Sequence, residues 1–252
     1  MDHRAPSLSA GDWEARMTGE KLSRKWLKNH LAYCWWKYLA VAVACAFGVD
    51  LLFSVTAYRP PQDKKQEIFL CSGYADAQAF QTDFWPWLLK RCPEQEELLV
   101  MNIDLTSGDM YAPMQFSTYC AAQQGDVCLL PRSEFFRLTA DGADAMVLDL
   151  SGYIASGAID ARGADLTDTT LPGENGEMGV YGVPADALYG LLGYGCDPAG
   201  SVLCITSYNG SDDVSAAMLD LMLERLSAPR PEGYDDMRRE KAKSAEETQI
   251  FR

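Results

Sequence analysis

The sequence predicts an α/β protein in which an N-terminal transmembrane helix precedes a three-layer domain built on a mostly parallel sheet. The helix is predicted by an apolar run from Tyr38 to Tyr58 that contains one ionisable residue, Asp50. The sheet is predicted by short apolar runs that alternate with segments of helical periodicity, the pattern of strands joined by crossover helices. The net charge differs on the two sides of the predicted helix: residues 1–37 carry net +3 and residues 59–252 carry net −16.

The apolar run has the length of a membrane span. At roughly 1.5 Å per residue it extends about 31 Å, which matches the hydrocarbon core of a bilayer. Trp35 and Trp36 at one end and Tyr58 at the other are aromatic residues of the kind found at membrane interfaces. We therefore predict an uncleaved anchor, residues 38–58, that binds the lipid bilayer. The alternative is a signal peptide cleaved at the small residues 55–57.

Asp50 is the unusual residue of this run. A carboxylate near mid-bilayer costs roughly 2.5–3.5 kcal/mol on insertion scales, so such residues are suspected of a function. Two interpretations stay open. Asp50 is protonated or close enough to the outer interface to be tolerated, or it contacts a helix of a partner membrane protein.

The charge distribution predicts the orientation and excludes one class of partner. Lys and Arg favour the cytoplasmic side of a span, so residues 1–37 are expected inside and residues 59–252 outside. The apolar spacing from Asp12 to Lys37 predicts an amphipathic helix on the inner membrane surface, or a short helix whose basic residues only fix the topology. The acidic outer domain argues against nucleic-acid binding, which needs basic patches.

Six strands are expected in the outer domain, which we place at residues 59–228. They are Glu67–Cys71, Leu98–Asp104, Asp126–Leu130, Met146–Leu150 (a strand or an extended segment), Gly179–Pro184 and Ser201–Ser207. The expected helices are Ala75–Arg91, interrupted at Pro86 and recapped by Asp83, then Met110–Gln123, Ser133–Thr139, and a last helix that Ser211 caps and Pro229 ends. Residues 151–178 are expected to be irregular, and residues 229–252 to form a polar, solvated tail.

Several kinds of chemistry are disfavoured by the composition. Both histidines, His3 and His30, precede the span, so the outer domain has neither a histidine-based catalytic set nor a histidine metal site. Phosphate-loop, dinucleotide and calcium-loop motifs are also missing. Six cysteines lie outside without a CxxC pair, and they are either buried free thiols or disulfides. We predict no enzyme activity, no cofactor and no metal.

Three stretches of the outer domain resemble the extracytoplasmic solute-binding proteins of bacterial ABC transporters. They are Gly125–Ile154, Val180–Leu188 and Leu203–Leu226, which are similar to segments of those proteins near the hinge and the chain end. The resemblance implies a periplasmic-binding-protein fold and a role in ligand binding, and it identifies no ligand. Full members have two lobes, so this domain would be a shortened relative.

Candidate ligand-binding residues follow from the strand ends. Ligands of open parallel sheets bind beyond the carboxyl ends of the strands. That rule selects Ser72, Gly73, Tyr74, Asp104, Thr106, Pro131, Arg132, Ser133, Tyr208 and Asn209. Arg132 could pair with a carboxylate and Tyr74 could stack on a ring, although ordinary turns and a surface arginine give the same pattern.

The expected function is a single-pass, membrane-anchored binding module for a small solute. The alternative is a structural or assembly partner of another membrane or envelope protein, in which Asp50 contacts that protein.

Overall fold

The computed structural model describes residues 24–58, 60–140, 142–207 and 211–240, with side chains from residue 35 onward. The chain divides into two compact units, residues 1–59 and residues 60–252. The first unit contains one described helix, α1 (Arg24–Thr56). The second contains all the strands and the remaining helices.

Helix α1 includes the predicted span. Its segment Trp35–Thr56, of 22 residues and mean hydropathy 2.1, is long and apolar enough to cross a membrane, and no part of its most apolar window is buried. This segment begins three residues before the predicted anchor and ends two residues before the anchor's end. From Arg24 it continues unbroken into this segment, so residues 24–37 are not a separate surface helix. The earlier part of the predicted amphipathic helix lies outside the described residues.

Within the described residues of the second unit, seven strands and five α-helices have defined bounds, and residues 234–240 are helical as well. The strands are β1 (Lys65–Leu70), β2 (Glu97–Asn102), β3 (Val127–Pro131), β4 (Thr170–Pro172), β5 (Met178–Val180), β6 (Val183–Pro184) and β7 (Ser201–Ile205). The helices are α2 (Ala77–Arg91), α3 (Tyr111–Ala121), α4 (Arg132–Leu138), α5 (Ser151–Ala155) and α6 (Asp212–Leu226). Short 3₁₀ helices occupy Gln62–Lys64, Ala143–Ala145, Thr167–Thr169 and Tyr189–Tyr194.

One five-stranded sheet organises this unit, in the order β2-β1-β3-β7-β6. Strand β1 pairs in parallel with β2 and β3, whereas β7 is antiparallel to both β3 and β6. Four of the five strands therefore run in one direction, and the predicted mostly parallel α/β fold is confirmed. The choice of Tyr208 and Asn209 by the strand-end rule assumed that the last strand is parallel as well, and that assumption is wrong.

Helices cover both faces of the sheet, which gives the three layers. Ile68 and Leu70 of β1 point to one face, where α2 and α6 supply Phe84, Met218 and other core residues. Phe69 points to the opposite face, where α3 and α4 supply the core. Successive strand residues alternate between the faces, so an apolar run such as Ile68–Leu70 is what a strand buried on both sides requires.

Helix α2 corrects the prediction that Pro86 interrupts it. The helix is continuous from Ala77 to Arg91 with Pro86 inside, and Asp76 caps its start by accepting from the amide of Ala79 at 3.0 Å. Asp83 does not recap a second helix. Its carboxylate accepts a 3.0 Å hydrogen bond from the hydroxyl of Tyr194 instead. Burial of Phe80, Phe84 and Leu88 along one side favours an unbroken helix over the local preference of proline.

The middle of the domain differs from the prediction in two places. Met146–Leu150 is not a strand, since an isolated bridge joins Val147 to Thr206, and the alternative expectation of an extended segment stands. Gly179–Pro184 is not one strand either, since β5 belongs to a small two-stranded sheet with β4 and β6 belongs to the main sheet. The predicted irregular region, residues 151–178, contains helix α5, a 3₁₀ turn and strand β4.

The segment after α6, described as far as residue 240, is exposed from residue 229 onward apart from Tyr234. Tyr234 is 4% exposed, and its hydroxyl donates to a carboxylate oxygen of Asp197. The guanidinium groups of Arg230 and Arg238 lie 5.4 and 5.9 Å from the centre of its ring. The predicted polar tail from residue 229 is thus exposed over its described part except at Tyr234, which attaches it to the domain.

Candidate functional site

The carboxyl ends of the first three strands meet at one edge of the sheet. Strands β1, β2 and β3 end there at Leu70, Asn102 and Pro131. Strand β7 begins at the same edge, because its first residue, Ser201, pairs with Pro131. We call this region the carboxyl edge. It brings together the predicted residues that follow β1, β2 and β3.

Ser72 is buried at the carboxyl edge and hydrogen-bonded to Ser201, a residue that the strand-end rule does not select. Its hydroxyl lies 2.5 Å from that of Ser201, and both side chains are buried. The thiol of Cys196 donates to the carbonyl of Ser72 at 3.3 Å. Ser201 was missed because a parallel β7 would begin at the opposite edge. An antiparallel strand places its start here, and no sequence motif indicated that direction.

Gly73 and Tyr74 form the exposed part of the turn after β1. Gly73 has φ of +89°, a conformation that glycine adopts at little cost. Its carbonyl accepts a 2.8 Å hydrogen bond from the side-chain amide of Asn102, which also donates to Leu70 at 2.9 Å. This bridge holds the turn against the end of β2. Tyr74 is 68% exposed, so its ring is presented outward from a fixed backbone.

Asp104 and Thr106 form a local turn after β2. One carboxylate oxygen of Asp104 accepts from the amide of Thr106 at 2.9 Å and from its hydroxyl at 2.7 Å. Thr106 is exposed, and its hydroxyl oxygen would lie 3.8 Å from a Cβ atom built on Gly73. The turns after β1 and β2 are therefore neighbours, as the strand-end rule predicted.

Arg132 is already paired within the chain. Its guanidinium lies 2.9 Å from the carboxylate of Asp168 and 3.6 Å from that of Asp186. Both acids come from segments whose placement at this edge could not be deduced from their spacing. The Nε atom of Arg132 is buried and has no hydrogen-bond partner. Ser133, in the first turn of α4, is exposed.

Tyr208 and Asn209 lie outside the described residues. The strand that precedes them, β7, ends at Ile205, which pairs with Val127, the first residue of β3. That end of β7 is at the opposite edge from the ends of β1, β2 and β3. The inference that grouped residues following β7 with the carboxyl edge therefore relied on the wrong strand direction.

Buried carboxylates occupy the opposite edge of the sheet. Glu67 and Asp126 are 2% and 1% exposed, and one oxygen of Asp126 accepts from the amide of Glu67 at 2.5 Å. Glu67 pairs with Lys65 at 2.6 Å and accepts from the amide of Gly125 at 3.0 Å. The other oxygen of Asp126 is buried without a partner. Burial, together with the Glu67 charge, raises the pKa of Asp126 to about 7.

The cysteines of the second unit are free thiols, and five of the six are buried. Burial raises the pKa of Cys204 to about 12 and raises the pKa values of Cys71 and Cys128 well above the ordinary range. A thiol that stays protonated is a poor nucleophile and a poor metal ligand. Among the described residues, no group of three or more His, Cys, Asp or Glu side chains is arranged to hold a metal ion.

Comparison with known proteins assigns no family. Neither a protein-family profile nor a curated protein matches the sequence. Among solved structures, an extracellular solute-binding protein family 1 member from Alicyclobacillus acidocaldarius aligns with 16% identity and a TM-score of 0.35, covering 52% of this chain and 32% of its own. Maltose-bound MalE3 of T. maritima aligns with 15% identity and a TM-score of 0.31, covering 52% and 33%. This chain thus spans about a third of those proteins.

Proposed function

We propose that this protein is a non-catalytic binding module that α1 anchors in a membrane, with residues 59–252 on the extracytoplasmic side. Its ligand, a small solute, would bind at the carboxyl edge. The observation that carries the proposal is the convergence there of three strand-end turns held by hydrogen bonds within the chain. Such edges of mostly parallel sheets are where ligands bind.

The geometry supports a rigid platform with a few outward groups. Asn102 fixes the turn that presents Tyr74, and the turn after β2 presents Thr106 beside it. Arg132, paired with Asp168 and Asp186, adds a partly exposed cation. An aromatic face, a hydroxyl and a guanidinium suit a small polar ligand with a ring, such as a sugar or an amino acid.

Reaction chemistry has little support at this edge. The nearby thiol of Cys196 is buried and donates to a backbone carbonyl. The outer domain has no histidine to act as a base. Binding without covalent change is therefore the proposal that fits these residues best.

A ligand screen tests the solute proposal directly. The full-length protein in nanodiscs is heated with sugars, amino acids and short peptides, and unfolding is followed by fluorescence. A ligand present at 100 times its dissociation constant should add about 2.7 kcal/mol to the free energy of unfolding. Tyr74→Ala should abolish this shift, whereas Tyr111→Ala, a matched exposed tyrosine on α3, should retain it. Absence of stabilisation by any compound would count against a solute site.

The orientation needs its own measurement. Protease added outside intact cells, or outside sealed vesicles of known sidedness, should digest residues 59–252 only when they face the outside. Extraction with alkaline carbonate should leave the protein in the membrane fraction if α1 is an uncleaved anchor. Release of a shortened chain would instead indicate a cleaved signal peptide.

A second candidate function is assembly with another membrane protein, and Asp50 favours it. The residue is exposed on α1, six positions before the helix ends at Thr56, which places it about 9 Å inside the span. A carboxylate at such a depth is stabilised by a polar partner on a neighbouring helix. Asp50→Leu should release a co-purifying membrane partner that Asp50→Asn retains. Equal recovery with all three forms would reject this role.

A further inference from the structure

One side of the main sheet ends in a strand whose outer edge has no strand partner among the described residues. Strand β2 is terminal in the order of the sheet, and within that part of the chain it pairs only with β1. The amide of Ile103 donates to Leu70 of β1, so by alternation the backbone groups of Leu98, Val100 and Asn102 face away from β1. Consistent with this, the amide of Val100 donates outward, at a long 3.4 Å, to the side chain of Gln81.

A groove runs along the beginning of this edge. It lies between α2 and β2 and has a volume of about 390 Å³. Its lining residues are Gln81, Thr82, Trp85, Glu96, Glu97 and Leu98. Trp85 is half-buried and Leu98 is 4% exposed, so both give the groove an apolar floor. The edge therefore offers backbone hydrogen bonds and a side-chain pocket next to each other.

The charge around the groove selects the chemistry of its occupant. Glu96 and Glu97 line it, and Glu94 is exposed one turn before them. Lys64 offsets one of these charges, through its 2.7 Å ion pair with Glu96. Residues 59–252 as a whole, these glutamates included, are strongly acidic, with net charge −16. An acidic partner, including a second copy of this chain, would be repelled, whereas a basic segment would be attracted.

We propose that the outer edge of β2 and its groove bind an extended, cationic segment of a partner polypeptide, which adds to the sheet as a sixth strand. Its backbone would pair with Leu98, Val100 and Asn102, displacing the weak contact from Gln81. Alternate side chains would face the groove, with an apolar one over Trp85 and Leu98 and a basic one beside Glu97. Strand addition of this kind takes its affinity from backbone hydrogen bonds and its specificity from pockets for alternate side chains. The groove lies at the beginning of β2, at the opposite end of the strand from the carboxyl edge, and Asn102 is the residue that the two proposed sites share.

The experiment measures binding of defined peptides to the full-length protein in phosphatidylcholine nanodiscs. The probe is a fluorescent peptide of alternating lysine and valine. One control peptide replaces the central valines with proline, which removes backbone donors at equal charge, and another replaces lysine with glutamate. We expect anisotropy to report binding of the first peptide alone. Hydrogen exchange should show new protection of the amides of Leu98, Val100 and Asn102.

Variants locate the site. Thr82→Arg places a bulky cation on the exposed wall of the groove. We expect this change to weaken binding of the lysine–valine peptide by at least about tenfold, which is the scale of a repulsive like-charge contact. Glu232→Lys, a charge reversal at an exposed position away from the groove, should change binding by less than about twofold, as expected for a screened surface charge. Melting temperatures verify that both variants are folded.

Several outcomes would overturn the proposal. Equal binding of the proline-containing peptide would mean that net charge alone attracts the probe. Unchanged binding by Thr82→Arg would place the site elsewhere. Protection of the β2 amides by self-association without peptide would show that a second copy of the chain occupies the edge. Absence of binding at the highest soluble peptide concentration would reject a cationic strand as the occupant.

Discussion

Replacing Asp126 with asparagine should remove a pH dependence of stability that this carboxyl group imposes. Its pKa in the folded protein is about 7, against 3.8 for an ordinary aspartate. Between these values the folded state holds a proton that the unfolded state has released. Stability therefore falls as pH rises through this window, is highest at its acidic end, and becomes independent of Asp126 above pH 7.

The magnitude follows from linkage. Each pH unit over which only the folded state holds the proton costs about 1.4 kcal/mol of the free energy of unfolding. From pH 5 to the folded pKa of about 7, Asp126 should account for a loss of about 3 kcal/mol. The groups that face it are the carboxylate of Glu67, the ammonium of Lys65 and the backbone around Thr206. Asparagine keeps an oxygen that can accept from the amide of Glu67 and carries no charge.

The assay is urea unfolding of the full-length protein in detergent micelles at pH 5 and pH 8, followed by tryptophan fluorescence. The wild type should lose about 3 kcal/mol more than Asp126→Asn between the two pH values. Glu232→Gln removes an exposed carboxylate and should behave as the wild type does. Equal pH dependence in the wild type and Asp126→Asn would refute the assignment of a buried, protonated Asp126.

The remaining predictions concern packing at the sheet edges and the buried thiols. Gly125→Ala should destabilise the fold by about 3 kcal/mol, because φ is +91° and the new Cβ would lie 2.7 Å from the ring of Phe69. Thermal unfolding measures the loss. Gly193→Ala is the matched control, since a Cβ built on Gly193 has no heavy atom within 4 Å. Ser72→Ala and Ser201→Ala should each lower the free energy of unfolding by about 1–3 kcal/mol, because each change leaves a buried hydroxyl without its partner. The double variant should lose less than the sum of the two. Additive losses in urea unfolding would contradict this coupling. Maleimide should label the buried cysteines of the sheet only after unfolding, and rapid labelling of the folded protein, read by mass spectrometry, would show that they are accessible.

Much of the sheet was predictable because its strands are buried on both faces. Predicted strands Glu67–Cys71 and Asp126–Leu130 coincide with β1 and β3 to within two residues. Continuous apolar runs bounded by turn residues produce this signal, and the apolar stripe of α6 is equally direct. Local sequence patterns indicate burial and periodicity because both are properties of a single strand or helix.

Strand direction was not predictable in the same way. Whether β7 runs parallel or antiparallel depends on where the chain re-enters the sheet after residues 151–200, and periodicity contains no information on that. The error extended to the candidate site, since it excluded Ser201 and included Tyr208. The partners of Arg132 were missed for a similar reason, because Asp168 and Asp186 reach it only through tertiary structure.

A different kind of error concerned single residues in unfavourable surroundings. Proline removes a helical hydrogen bond, so the sequence predicts a break at Pro86, yet three buried side chains keep α2 continuous. Tyr234 lies in a charged segment whose composition predicts solvation, yet its ring is buried between two arginines. In both cases a few tertiary contacts outweigh the local preference, for a helix break at Pro86 and for solvation around Tyr234. The composition of a segment does not reveal such single contacts.

The position of β7 has a consequence for how the chain folds as it emerges from the ribosome. The strand lies in the interior of the sheet, between β3 and β6, although it is synthesised after both. Until it arrives, β3 has an apolar, unpaired edge of the kind that aggregates or recruits chaperones. Nascent chains halted before Ser201 should therefore be substrates for quality-control proteases, whereas chains released after Leu226 should escape them.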